Sequence, residues 1–469
     1  MSPNLSSRPP AGELLFKGAT VYTPDGPADL DVTVSDGVIT SVGPRGSGRG
    51  KPVDVSGKWL LPGGIDVHVH SRDPGFPDKE DFGTLTAAAA AGGVTTVIDM
   101  PNTVPAVDSA GVLEAKAALA RSRSRVDFGL WSLIRSTSTE EQLVELASAG
   151  AFGFKAYLGY SFSLSRKQVL HTLESGDPDL EAPPDYGTLT RLAPAIAELG
   201  LPLVIHAEDP GILHTFRRPF ETYEDMLAAR PAEAESLAIS ATSSVARQHG
   251  IHLHVAHVSS ALGLHAAEEA IAAGTRLTLE TCPQYLWRTE ADFARLGTAM
   301  KMNPPVRTMS DQQALRDALR REVIGVVATD HAPHTDAEKA RDLEHAPPGT
   351  PGVQTLYLSC LELARQMGDP WLAARWVSEG PAALAGLGES KGRIAPGYDA
   401  DLVVVDPKQS TTFIPRSMRS RQKHGALEGL KVSFAISSVY LRGAPVYANG
   451  RLSTRSSGRM IRPAGVPIA

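Results

Sequence analysis

Cysteine is almost missing from this chain. The two present in 469 residues, Cys282 and Cys360, cannot form a disulfide framework. No apolar run approaches the length that spans a bilayer, and the opening MSPNLSSRPPAGE lacks the apolar stretch of a secretory leader. Neither sign of charge dominates: 46 Lys and Arg stand against 52 Asp and Glu, with no basic block. That balance argues against nucleic acid or an anionic membrane surface as partner. The expectation is a cytoplasmic protein whose partners are small molecules or copies of itself, in a homodimer or homotetramer.

The texture of the chain changes twice. From Glu13 to Leu61, short alternating strands with turn punctuation (ELLFKGATVYTPDG, LDVTVSDGVITSVGP, KPVDVSGKWLLPG) read as a small β unit. Eight strand-length apolar runs then alternate with Ala- and Leu-rich helical segments: GIDVHVH, TTVIDM, VDFGLWSLI, AFGFKAYL, PLVIHAE, IHLHVAHV, RLTLETCPQYL and VIGVVATDHAPH. Eight such alternations predict an α/β fold, a (β/α)8 TIM-like barrel. The tail returns to β texture in DADLVVVDP and SFAISSVYLRGAPVYANGRL. Two β segments too small to bury a core alone are expected to pair into one β-sandwich formed from both termini. The organisation read from the sequence is a flexible lead over 1–12, sandwich over 13–61, barrel over 62–390, sandwich again over 391–455, and a tail over 456–469. The stretch ESGDPDLEAPPDYGTL reads as a long loop near the site.

Barrels of this kind carry their chemistry at the carboxyl ends of the strands. The first strand ends on His68 and His70, two residues apart and so on one face of an extended strand, with Val67 and Val69 on the other. The fourth carries Lys155, the fifth His206, the sixth His257 and the eighth Asp330. A single buried histidine is ordinarily structural, but so many coinciding strand ends point to a site. Imidazole and carboxylate suit a divalent metal such as zinc. A protonated Lys155 would repel it, unless burial keeps the amine neutral and CO2 converts it to a carbamate able to bridge two ions. An ion-paired lysine is the alternative.

The ordered motifs HVHSRDPG, KEDF, AAAAAGGVTTVIDMPNTVP, GFKAYLG, HAED, RPAEAE, HVSS, ETCPQYL, KMNPPVR, TDHAPH and GRIAPGYDADLVVVDP resemble those of the cyclic amidohydrolases, the dihydroorotase, allantoinase and hydantoinase group. The resemblance runs the length of the chain. It implies that His68, His70 and Asp330 hold one metal and His206 and His257 the other, with carbamylated Lys155 between two Zn2+ ions. It also implies that Asp330 moves the proton in opening a cyclic amide.

Substrate choice rests on a second set. Arg72, Asn102 and His334 match the positions at which dihydroorotases grip a carboxylate, an anion that suits a guanidinium fork. Ion pairing of Arg72 with Asp73, Asp78 or Glu80 is the competing expectation. Tyr160 matches a hydantoinase tyrosine that supports the oxyanion, and Asn303 is a candidate hydrogen-bonding partner of the ring. ETCPQYL and RQKHGALEGL look more like allantoinases and hydantoinases, and Gln354 stands where dihydroorotases more often carry Glu. The expected activity is interconversion of L-dihydroorotate and N-carbamoyl-L-aspartate in pyrimidine biosynthesis. Opening of allantoin, a hydantoin or a dihydropyrimidine is the alternative, and a metal-free scaffold a third.

Overall fold

The computed structural model describes residues 12–171 and 176–464, so the flexible lead expected over 1–12 lies, Gly12 apart, outside the described residues. The two terminal β segments do join. Nine strands hydrogen-bond into one sheet, and its seam is the antiparallel pair of Trp59–Pro62 with Leu402–Asp406. Three of its hairpins turn on two residues of positive φ, Asp36-Gly37, Arg442-Gly443 and Asn449-Gly450. That is the turn geometry matching the right-handed twist of the strands. The sheet curls over its own core: Phe16 meets Tyr440 edge-on at 4.8 Å, among Val21, Val32, Ile39, Leu60 and Val404. Leu61, Val403 and Val405, alternating with these along their strands, face the barrel's helix layer instead.

The barrel strands are Gly64–Val69, Val94–Asp99, Asp127–Leu130 continued by Ser132–Leu133, Phe154–Tyr157, Leu203–His206, Leu253–Val255, Leu277–Thr281 and Val326–Val327. All their pairings are parallel, and the Val69–His331 bridge closes the ring. Register makes the two faces explicit. Lys155 pairs with Val204 and Tyr157 with His206 on the inner face, while Phe154, Ala156, Leu203 and Ile205 pack outward against helices. Below the polar end, Ile98, Trp131, Val204 and Val326 fill the barrel, and Ala382, Leu384, Ala385 and Leu387 close its far end.

Three sequence expectations change in detail. Only Leu277–Thr281 of RLTLETCPQYL is strand; Pro283 starts the helix Pro283–Trp287, as proline at a first helical position permits. The alternation assigned to GIDVHVH is broken, because pairing slips between Asp66 and Val69 and the two valines join different clusters. Part of the stretch read as a long loop is ordered, since Leu180–Glu181 pairs with Phe162–Ser163. The tail also docks, with Phe128 N–H donating to Arg459 O at 2.9 Å and Ile461 N–H to Phe128 O at 2.9 Å.

Candidate active site

The strand ends bring the expected ligand residues, Lys155 apart, to the wall of one cavity of about 390 Å³. His68, His70 and Asp330 offer atoms all within 4.8 Å of one another. His70 Nε2 lies 2.9 Å and His68 Nε2 3.4 Å from Asp330 Oδ1. A second pair stands beside them: His206 Nδ1 faces His257 Nε2 at 3.0 Å, and the His257 ring centroid is 5.3 Å from that of His68. Lys155, fully buried beside these groups, has no hydrogen-bond partner at Nζ among the described residues.

Neighbouring acceptors fix which nitrogen three of the four histidines turn inward. His70 Nδ1–H donates to Asn102 Oδ1 at 2.6 Å, His68 Nδ1–H to Glu280 Oε1 at 2.8 Å and His206 Nε2–H to Glu208 Oε2 at 2.7 Å. The remaining ring nitrogens then present lone pairs to the centre. Arg230 pairs with Glu208 in turn. Glu280 and Glu208 went unrecognised in the sequence. Their inward position on, or just past, a barrel strand was the available signal, but a carboxylate that orients a histidine has no spacing rule of its own.

Burial works against charge on several of these nitrogens. Burial pushes His70 down to about 4 and His257 well below the ordinary imidazole value. Burial lowers Lys155 to about 8, against the opposing pull of Glu280, Asp330 and Cys282. Burial alone would raise the Asp330 carboxyl, but His68 and His70 outweigh it and hold it below the usual carboxylate range. Four imidazoles gathered at one end of the barrel, a buried amine and a carboxylate held below its usual range form a donor set that fits divalent metal ions.

Arg72 reaches the cavity wall by a route that strand alternation did not foresee. Its backbone is left-handed, φ 60°, so it turns back toward the site instead of continuing the strand. None of the described carboxylates pairs with it: Asp73 takes Arg123, and Glu80 takes His331 and the Arg421 N–H. Its Nε donates to Pro333 O at 3.2 Å. His334 stands behind it and is not on the cavity wall. Lys79 Nζ donates to His334 Nδ1 at 3.1 Å and His334 Nε2 lies 3.0 Å from Pro348 O, which selects the Nε2–H tautomer. The Arg72 Nη2 found 3.1 Å from that nitrogen therefore meets no free lone pair. Burial first, then Arg72 and Lys79, push His334 down to about 3, so it adds no charge.

Asn102, Tyr160 and Asn303 also line the cavity. Tyr157, His171, Ala332, Pro348 and Gly349 complete it without having been expected. Gln354 is remote: its amide donates to Ser417 O at 3.0 Å and its carbonyl accepts the Arg419 N–H at 2.7 Å.

The amidohydrolase family profile matches residues 59–446, barrel and second β segment together. The chain belongs to the amidohydrolase family. This amidohydrolase is 35% identical to an allantoinase of Streptomyces avermitilis over 96% of its own length and 98% of the relative's. It is 33% identical to a dihydroorotase of Pelotomaculum thermopropionicum over 89% and 94%. Among solved structures, the L-hydantoinase (dihydropyrimidinase) of Arthrobacter aurescens superposes with a TM-score of 0.88 at 27% identity, covering 95% of this chain and 99% of that one. The amidohydrolase is thus a cyclic amide hydrolase, and no described helix is long and apolar enough to cross a membrane.

Proposed function

We propose that this enzyme opens a cyclic amide whose ring carries a carboxylate, with L-dihydroorotate as the substrate and N-carbamoyl-L-aspartate as the product of a reversible hydrolysis. The observation that carries this reading is Arg72, a guanidinium on the cavity wall with no carboxylate partner among the described residues. A buried cation left this way is costly unless a ligand supplies the anion. The Asn102 amide, whose oxygen is engaged by His70, has its N–H donors left for the same carboxylate.

In this reading His68, His70 and Asp330 would hold one Zn2+, His206 and His257 a second, and Lys155 as a carbamate would link them. When bound, the two ions supply an acidified water and polarise the scissile carbonyl. The residues do the rest. Arg72 and Asn102 orient the ring so that the amide carbon faces the attacking water. The water oxygen bonds to that carbon, Asp330 takes the proton released, and Tyr160 steadies the developing oxyanion with its hydroxyl. As the C–N bond breaks, Asp330 returns the proton to the ring nitrogen, so the two halves of water end on carbon and nitrogen. Asn303, on the same cavity wall, would hydrogen-bond the ring.

A second reading, allantoin hydrolysis, is favoured by the slightly greater identity to relatives named allantoinase. Initial rates on dihydroorotate, allantoin, hydantoin and dihydrouracil, with zinc-loaded protein, separate the two. Turnover of dihydroorotate well above the rest supports the proposal, whereas preference for allantoin overturns it in favour of the second reading.

A further inference from the structure

Among the described residues, four buried polar atoms around this cavity have no hydrogen-bond partner: Lys155 Nζ, His257 Nδ1, Tyr157 Oη and His171 Nδ1. The first two belong to the ligand set. The other two have no part in it, and a buried polar atom left unpaired costs stability unless something else satisfies it.

Both arrive on fixed structure. Tyr157 ends the fourth barrel strand, paired with His206 on the inner face. His171 follows the short strand Gln168–Val169, which pairs with Phe162–Ser163; that strand also pairs with Leu180–Glu181. Leu170 N–H donates to Ser161 O at 2.8 Å, and Glu181 is gripped by Arg135 and by Ser136 Oγ at 2.7 Å. The two rings flank Tyr160, Tyr157 stacked at 5.7 Å between centroids and His171 edge-on at 5.0 Å. A second cavity of about 240 Å³ shares Tyr157 and Tyr160 as its wall, so these side chains form a partition at the end of the site.

Resting on the cyclic-amide reading, we infer that Tyr157 and His171 form a receptor for an oxygen-bearing substituent on the substrate ring, one that selects rings with a carboxylate or ureido arm over bare rings. A phenol O–H and an imidazole N–H can both donate to a carboxylate oxygen or to a ureido carbonyl. Hydantoin and dihydrouracil offer neither.

The test uses Tyr157→Phe and His171→Phe, with His171→Gln as a variant that keeps a hydrogen-bonding end, each zinc-loaded beside wild type. The readout is the ratio of kcat/KM on the preferred substituted ring, dihydroorotate or allantoin, to that on hydantoin, with metal content and melting temperature measured alongside. Loss of one such hydrogen bond should lower the ratio about 10-fold, with metal content held and partial recovery in His171→Gln. An unchanged ratio in both Phe variants overturns the receptor while leaving the cyclic-amide reading intact. Wild-type activity confined to hydantoin or dihydrouracil overturns the carboxylate reading and the receptor together.

Discussion

The positions of the six proposed ligands were legible because strand geometry constrains them: a side chain that reaches a barrel's mouth must sit near a strand's carboxyl end, and His68, His70, Lys155, His206, His257 and Asp330 all do. Glu280, Glu208, Tyr157 and His171 were not, because a residue that orients a ligand or faces a substrate through a folded loop leaves no periodic trace. Two substitutions test the roles at this scale. Lys155→Ala should lose the second metal ion and nearly all turnover, with short carboxylic acids restoring part of both. Metal analysis beside rates decides it, and two ions with normal turnover in the variant would refute the bridging role. Asp330→Asn removes the proton carrier and an anionic ligand, so kcat should fall by at least about two powers of ten while circular dichroism stays that of a folded protein. Near-normal rates in that folded variant would assign the proton to another group.

Elements hold these residues in place through contacts that sequence patterns do not encode. The turn carrying Arg72 is pinned by Asp99, which accepts the Ser71 N–H at 2.6 Å and its hydroxyl at 2.7 Å and pairs with fully buried Lys116 at 2.6 Å. Lys116→Met would leave Asp99 an uncompensated buried charge, a loss of about 3 to 5 kcal/mol. Denaturant unfolding should register it, and a loss below about 1 kcal/mol would mean that the pair is dispensable. On the cavity wall beside His334, Gly349 has φ 135°, and a Cβ there would stand 2.3 Å from Ala332 O. Gly349→Ala should therefore raise KM by displacing the Pro348–Gly349 wall, at a strain of about 1 to 3 kcal/mol. Unaltered KM and melting temperature would show that the loop yields freely. Eight alternations predicted the barrel correctly, yet the slip in its first strand and the helix inside its seventh run come from local sterics that a two-residue period overlooks.

At the scale of the whole molecule, the sequence showed that both termini carry β structure, but not how that unit is tied to the barrel. Lys391 supplies the tie: its Nζ lies 2.9 Å from Asp127 of the third barrel strand and 2.6 Å from Asp401, with Asp399 at 2.9 Å. Arg442 completes the cluster on Asp127. Burial alone would lower the Lys391 pKa, but Asp401, Asp127 and Asp399 together raise it. Since the folded value lies above the unfolded one, this stabilisation is complete below the ordinary lysine range and fades as pH rises through the raised value. Lys391→Met should lower the melting temperature at neutral pH and flatten its fall above about pH 10. A variant as stable as wild type at pH 7 would contradict that role. Which ring the enzyme opens is decided by the ratio of kcat/KM for dihydroorotate to that for hydantoin in wild type and Arg72→Met. Loss of a charged hydrogen bond predicts that the ratio falls by about one to two powers of ten in the variant. Equal losses on the charged and the neutral ring would contradict carboxylate recognition by Arg72 and move the allantoin reading ahead.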